Sequence, residues 1–289
     1  MATVLPAAAD VEFEFSGRDF DRVRQLIHAK AGISLNESKR TMVYSRLSRR
    51  LRATGVGSFA QYLDGLERGG GVNEWQEFVN ALTTNLTAFF REPHHFPVLA
   101  ALLKSIAHRP SITIWCAAAS TGEEPYSIAI TVREQLGRAA DKVRILASDI
   151  DTNVLETARN GVYPVEAVEK LDAAIARRAF LRGSGAHEGL AKVRPEIASL
   201  IEFLPVNLLA ADWPVPGELD AIFCRNVMIY FDKPTQASLL ARMAPMLQPW
   251  GLYFAGHSEN LGFARHLLAP KGHTVYGRAD AAGGSERIS

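Results

Sequence analysis

The chain has 289 residues, and its 32 Lys and Arg against 31 Asp and Glu leave a formal net charge of +1. That balance excludes a globally basic nucleic-acid coat and a globally acidic tail protein. Apolar residues at 47% and charged residues at 22% exclude wholesale disorder, and two cysteines, Cys116 and Cys224, exclude a disulfide framework and favour a reducing compartment.

No apolar run approaches the roughly 20 residues needed to span a bilayer. The opening residues lack the basic start of a secretory signal, so a cytoplasmic location is expected. The sequons at Asn36-Glu-Ser and Asn85-Leu-Thr then read as chance matches.

In chain order, the first quarter reads as helices. Ser16 to Asp19 has the form of a helix start, and Phe20, Val23, Leu26 and Ile27 follow at helical spacing up to Gly32. A second helix is expected from about Asn36 to Thr54, with Val43, Leu47 and Leu51 spaced by four. A third begins near Ser58 and carries Phe59, Tyr62, Leu63 and Leu66. Gly69-Gly70-Gly71 breaks the chain, and a fourth places Trp75, Phe78, Val79 and Leu82 on one face.

After Pro110 the period changes. Ser111 to Cys116, Lys142 to Ser148, Leu219 to Cys224 and Gly251 to Ala255 are short apolar runs that predict strands. Helices are expected between them, through Tyr126 to Val132, from Thr152 to Asn160 and from Pro234 to Leu247. This alternation predicts a parallel sheet with helices on both faces. The glycine-rich stretch Gly183–Val206 does not fit it and reads as a small β insertion. The expected division is a flexible leader over 1–15, a helical domain over 16–90, an α/β domain over 91–280 with the insertion at about 183–206, and a flexible tail over 281–289.

Ligands of open α/β sheets bind beyond the carboxyl ends of the strands. Three segments should converge there. The loop Ala117 to Gly122 has small residues that admit a ligand, but Glu123 and Glu124 follow and would repel a diphosphate. Asp149 ends the second strand, where a carboxylate can accept both hydroxyls of a ribose. Arg225 and Asn226 end the third. Together they point to an adenosyl ligand without phosphates, S-adenosylmethionine. Bland readings stand beside these. The glutamates could complement a helix dipole, Asp149 or Asp151 could cap a helix, Arg225 could be an ion-pair partner, and the cysteines could simply pack.

Five longer stretches carry a resemblance. They are Asn80-Ala-Leu-Thr-Thr-Asn-Leu-Thr-Ala-Phe-Phe-Arg-Glu92, Ala117-Ala-Ala-Ser-Thr-Gly-Glu-Glu-Pro-Tyr-Ser127, Ala147-Ser-Asp-Ile-Asp151, Phe223-Cys-Arg-Asn-Val-Met-Ile-Tyr-Phe231 and Gly256-His-Ser-Glu-Asn260. In this order they resemble the bacterial chemotaxis methyltransferases, the CheR family. The resemblance implies an all-helical N-terminal domain and an α/β, Rossmann-like S-adenosylmethionine-dependent methyltransferase domain with a small inserted antiparallel β subdomain. It implies methyl transfer to glutamate side chains of chemoreceptors, with S-adenosylhomocysteine as product. Carried over, the cofactor contacts are Asn85, Thr87, Arg91, Glu124, Asp149, Asn207, Leu208, Arg225 and Asn226. Arg91 and Tyr230 flank the transferred methyl, and either could hold the incoming carboxylate.

A glutamate is already ionised at neutral pH, with a reference pKa of about 4.3. No general base is needed, which agrees with the lack of a Ser-His-Asp or Cys-His constellation. Residues 38–53 contain Lys39, Arg40, Arg46, Arg49, Arg50 and Arg52 and no acid. The bland reading is a solvated helix face. The family reading makes Arg46, Arg49, Arg50 and Arg52 a docking face for acidic receptor helices. In some members the β subdomain grips a receptor C-terminal peptide, and Arg182 to Gly189 resembles that type. The enzyme is expected to act as a monomer, with no nucleic-acid partner. Alternatives are a non-catalytic S-adenosylmethionine-binding adaptor and a nucleic-acid N-methyltransferase. A metal site is not expected. His94 and His95 are adjacent, and neighbours on a helix diverge by about 100°.

Overall fold

A computed structural model describes residues 12–280, and the chain divides between Thr83 and Thr84 into two units. Residues 1–11 and 281–289 of the expected leader and tail lie outside the described residues. The last part of the expected leader is packed. Phe13 lies edge-on to Phe59, Phe15 lies 4.4 Å from the same ring, and Glu12 accepts hydrogen bonds from Arg52.

The described residues of the first unit form four α-helices. Helix α1 (Gly17–Ala31) opens on a reciprocal Ser16–Asp19 capping box. Helix α2 (Arg40–Thr54) starts later than the expected Asn36, because Glu37–Lys39 form a short 3-10 turn first. Helix α3 (Phe59–Glu67) is capped by Ser58, and α4 (Val72–Leu82) follows the triple glycine. The anticipated stripes Phe20/Val23/Ile27, Val43/Leu47/Leu51 and Phe59/Leu63 are buried together with Phe78.

The second unit starts earlier than the expected 90/91 boundary. Residues 84–91 make their contacts with the α/β unit: Phe89 packs edge-on against Tyr163 and Phe180, and the Phe90 amide donates to the Ser127 hydroxyl. Helix α5 (His95–Ser105), which the sequence reading did not anticipate, leads into β1 (Ile112–Cys116), α6 (Glu123–Leu136), β2 (Val143–Asp149) and α7 (Thr152–Asn160). A small subdomain follows, with β3 (Val162–Pro164), α8 (Val165–Val168), α9 (Ala173–Ala179), β4 (Phe180–Arg182), β5 (Leu190–Val193) and α10 (Pro195–Ala198). The chain returns through β6 (Ile201–Pro205), β7 (Leu219–Cys224), α11 (Lys233–Met243), β8 (Leu247–Ala255), β9 (Leu268–Gly272) and β10 (Val275–Arg278).

The main sheet has the order β6-β2-β1-β7-β8-β10-β9. The first five strands are parallel, and β10 pairs antiparallel with β8 and β9. Alternate residues of the central strands feed two cores. Ile114, Cys116, Ile145 and Phe223 join Leu99, Leu103 and Ile128 of α5 and α6, whereas Trp115, Leu146 and Ile222 join Leu239, Leu240 and Met243 of α11.

The insertion expected at 183–206 is corrected. The antiparallel sheet β3-β5-β4 draws on residues 162–193, while Ile201–Pro205 is an edge strand of the main sheet in register with Ile145–Asp149. The glycines that drew attention to the stretch lie between β4 and β5. Helix α11 also stops short of Leu247, because Pro245 stands in a 3-10 turn that already feeds β8.

Candidate functional site

Five parallel strands end on the same edge of the sheet, and β1 lies between β2 and β7, so the winding of the sheet reverses beside β1. Such a switch point opens a crevice at the strand ends. The loop after β1 is tied to the end of β2. The Ser120 amide donates to Asp149 Oδ2 at 2.8 Å, and the Asp151 amide donates to Asp149 Oδ1 at 3.0 Å. Burial raises the Asp149 carboxyl to a pKa of about 6, against hydrogen bonds that favour its charged form. The cap of α7 is Asp151, which receives the Asn153 and Val154 amides. The same carboxylate accepts from Asn85 Nδ2 at 2.7 Å, and the Ser120 hydroxyl donates to the Asn85 carbonyl. Asn85 and Asp149 thus belong to one network.

A second network is ionic and buried. Arg225, 4% exposed, donates to Glu124 Oε2 at 2.7 Å and to the Arg91 carbonyl at 2.5 Å, and its Nη2 lies 3.3 Å from Glu92 Oε2. Cys116 donates to the other Glu124 oxygen. Burial raises the Glu124 carboxyl against the opposing Arg225 charge. Glu92 Oε1 takes hydrogen bonds from Asn226 Nδ2 and from the amide of His257, and lies 3.0 Å from His257 Nδ1. Burial pushes the Glu92 carboxyl up, but the His257 hydrogen bonds, the Arg225 charge and Asn226 outweigh it and hold the pKa at about 2. Glu259 closes the ring of loops by accepting from the Met228 and Gly256 amides. Gly256 is required there: a Cβ would collide with Asn226, itself held at φ +57°.

The remaining sequence candidates sit on the same strand-end loops. Arg91 is half-buried, and its Nη1 donates to the Leu86 carbonyl at 2.9 Å. Thr87 is half-buried, and Tyr230 is half-buried in a 3-10 turn after β7. Neither joins a network through a side-chain hydrogen bond among the described residues. After β6, Asn207 Oδ1 accepts from the Leu209 amide, and buried Leu208 offers its carbonyl to Trp213 and Arg242.

In the first unit the basic residues of α2 differ in freedom. Arg46 donates to the Ala81 and Thr83 carbonyls, Arg50 pairs with Glu74 and Glu77, and Arg52 pairs with Glu12. Arg49 is exposed and has no ion pair among the described residues.

The sequence reading gave no role to Glu92, His257 or Glu259, and read Asp151 only as a helix cap. All four hold site segments together through space. Glu92, His257 and Glu259 lay inside the quoted motifs, which was their only signal. Backbone strain marks the same ground. Phe90, Glu92, Ser120 and Asn226 are four of the six non-glycine residues with left-handed φ among the described residues.

The donor set fits S-adenosylmethionine. The α6 N-terminus carries Glu123 and Glu124 and no cation in the loop before it, which disfavours phosphates. Backbone amides hold both Asp149 oxygens in place, Ser120 on one and Asp151 on the other, and a carboxylate so fixed can accept from a hydroxyl as well.

The model of the CheR methyltransferase SAM-binding domain matches residues 85–276, and that of the CheR all-alpha domain matches residues 18–83. The chain is 58% identical over 280 residues to chemotaxis protein methyltransferase 2 of Pseudomonas aeruginosa, covering 96% of this chain and 99% of that one. It is 53% identical over 263 residues to the chemotaxis protein methyltransferase of Escherichia coli, covering 90% and 91%. A TehB-like SAM-dependent methyltransferase structure from Corynebacterium glutamicum overlays at a TM-score of 0.36 with 14% identity, covering 62% of this chain and 86% of that one.

Proposed function

The chain belongs to the CheR methyltransferase family, and on that footing we propose that it methylates glutamate side chains of chemoreceptors, forming glutamyl methyl esters and S-adenosylhomocysteine. One observation carries the reading. Both family domains match, and the second spans every strand-end loop that bears a candidate contact. When bound, S-adenosylmethionine supplies a methyl group activated by its sulfonium, which a glutamate carboxylate can take directly.

Asp149 accepts the ribose hydroxyls in this reading, and Asn85, Thr87, Asn207, Leu208 and Asn226 line the remaining length of the ligand. Glu124 and Arg225 act as a pair. The guanidinium fixes the Arg91 backbone, and the carboxylate neutralises the guanidinium. The Arg91 side chain rests on a carbonyl, from which it can turn to a carboxylate, a stronger acceptor. Arg91 or Tyr230 then holds the substrate carboxylate in line with the methyl. The reaction joins opposite charges, so excluding water from the crevice favours it.

The partners are the cytoplasmic parts of membrane receptors, approached by a monomer in the cytoplasm. A receptor C-terminal peptide adds to the β4 edge of the small sheet, where Leu181 is exposed. No helix is long and apolar enough to cross a membrane among the described residues.

The test is transfer of labelled methyl to receptor-bearing membranes. Arg91→Ala and Tyr230→Phe should lower turnover by about tenfold or more, as loss of a transition-state contact does, and by more than they lower S-adenosylhomocysteine affinity. Wild-type turnover in both would sink the assignment.

A further inference from the structure

The turn that delivers Glu92 to the ionic network also gathers two histidines. Glu92 has φ +55°, and His94 and His95 stand at the very start of α5 rather than within it. The expected divergence of adjacent rings is therefore absent, and the two lie 4.2 Å apart. Glu92, His94 and His95 each present one ligand atom, all within 4.8 Å of one another.

His95 Nε2 lies 2.9 Å from the Thr274 hydroxyl, which reaches the His273 carbonyl at 2.6 Å. With the ring proton on Nε2, toward that hydroxyl, Nδ1 is a bare lone pair that can ligate a metal. That atom is buried without a hydrogen-bond partner, and Glu92 Oε2, 3.8 Å from it, has no hydrogen bond either, only the 3.3 Å ion pair with Arg225. Two acceptors facing each other inside the protein are costly unless something positive stands between them. The network around them has room for a cation, because the two carboxylates of Glu92 and Glu124 share the single guanidinium of Arg225.

We propose that Glu92 Oε2, His95 Nδ1 and a ring nitrogen of His94 form a binding site for a divalent transition-metal ion of the zinc type. Two nitrogens and one carboxylate oxygen suit zinc and its neighbours, whereas magnesium and calcium take oxygen ligands. Tetrahedral ligands about 2.1 Å from a common ion lie roughly 3.4 Å apart. The 3.8 Å gap therefore needs only a small closure. Exposed His94 provides the entry side and the fourth position is open to water. The ion would draw Glu92 Oε2 away from Arg225, while Oε1 keeps its bonds to Asn226 and the His257 amide. Metal binding and the loop that carries Asn226 are thereby coupled.

Cobalt(II) tests this, because its visible absorption reports a low-coordinate site directly. Untagged full-length protein, freed of metal, is titrated with Co²⁺. Saturation at one equivalent with intense visible bands is expected, and Zn²⁺ should displace the Co²⁺ and bleach them. His94→Ala and Glu92→Gln should each weaken Co²⁺ binding by roughly tenfold or more. Because His94 is exposed, its variant should keep the wild-type circular dichroism, and His187→Ala, on the small subdomain, should bind as the wild type does. The absence of saturable bands in the wild type, or unchanged bands in both ligand variants, would overturn the proposal.

Discussion

Burial holds the Asp149 carboxyl at about pH 6, whereas an unfolded aspartate titrates near 3.9. Between those values the folded protein keeps a proton that the unfolded chain has lost. The contribution to stability is therefore fully present below about 3.9 and is lost as pH rises through 6. Hydroxyl recognition has the opposite demand, since it needs the ionised carboxylate. S-Adenosylhomocysteine should bind about tenfold more weakly at pH 5 than at pH 7. In Asp149→Asn that slope should flatten. Calorimetric titration at the two pH values decides it, and an equal slope in the variant would remove Asp149 from the ligand. At this scale the sequence reading reached Asp149 and Arg225 because each ends an apolar strand, a local signal. It could not reach Glu92, whose partners Arg225, Asn226 and His257 come from other strand ends. The bland reading of Arg225 as an ion-pair partner and the functional one converge, since its pairing with Glu124 and its grip on Arg91 involve the same guanidinium.

Elements were legible where their ends are written locally. Ser16, Ser58 and Asp151 cap their helices through their own side chains, and Gly32 and Gly55 close helices in the left-handed region. Strands β6, β9 and β10 were not legible as members of the main sheet. Their burial is partial, and their identity depends on which neighbour they pair with. The turn from β1 into α6 shows how closely elements meet at the site. Gly122 has φ +101°, and a Cβ there would lie 2.6 Å from the Tyr163 hydroxyl and 2.9 Å from Ala158 Cβ. Gly122→Ala should therefore destabilise the α/β unit by about 1–3 kcal/mol. A lowered urea midpoint checks this, and an unchanged midpoint would show that the loop, α7 and β3 are less tightly joined than described.

For the whole molecule, the net charge of +1 concealed the distribution that matters. The six positive charges of residues 38–53 suggested a wide basic face. Acids from other elements cover part of it: Glu37 pairs with Arg40, Glu74 and Glu77 with Arg50, and Glu12 with Arg52. Apart from Glu37 and Arg40, which are three residues apart, these partners lie far apart along the chain, and a single sequence does not show such pairing. Arg49 and Lys39 remain exposed without an ion pair among the described residues, and Arg52 is only in a surface pair that is worth little. Reversing Arg49 and Arg52 to glutamate should raise the KM for receptor several-fold through charge repulsion. S-Adenosylhomocysteine affinity should stay at the wild-type value, and unchanged methylation kinetics would rule out this face as the docking surface.

The most direct measurement is the chemistry of the bond formed. Receptor signalling domain is incubated with the full chain and methyl-labelled S-adenosylmethionine, then treated with mild alkali, and the labelled peptides are mapped. Direct attack by a glutamate carboxylate predicts that the label sits on glutamate side chains and leaves as methanol. Label that survives alkali, or that resides on nitrogen or on nucleic acid, would contradict the account.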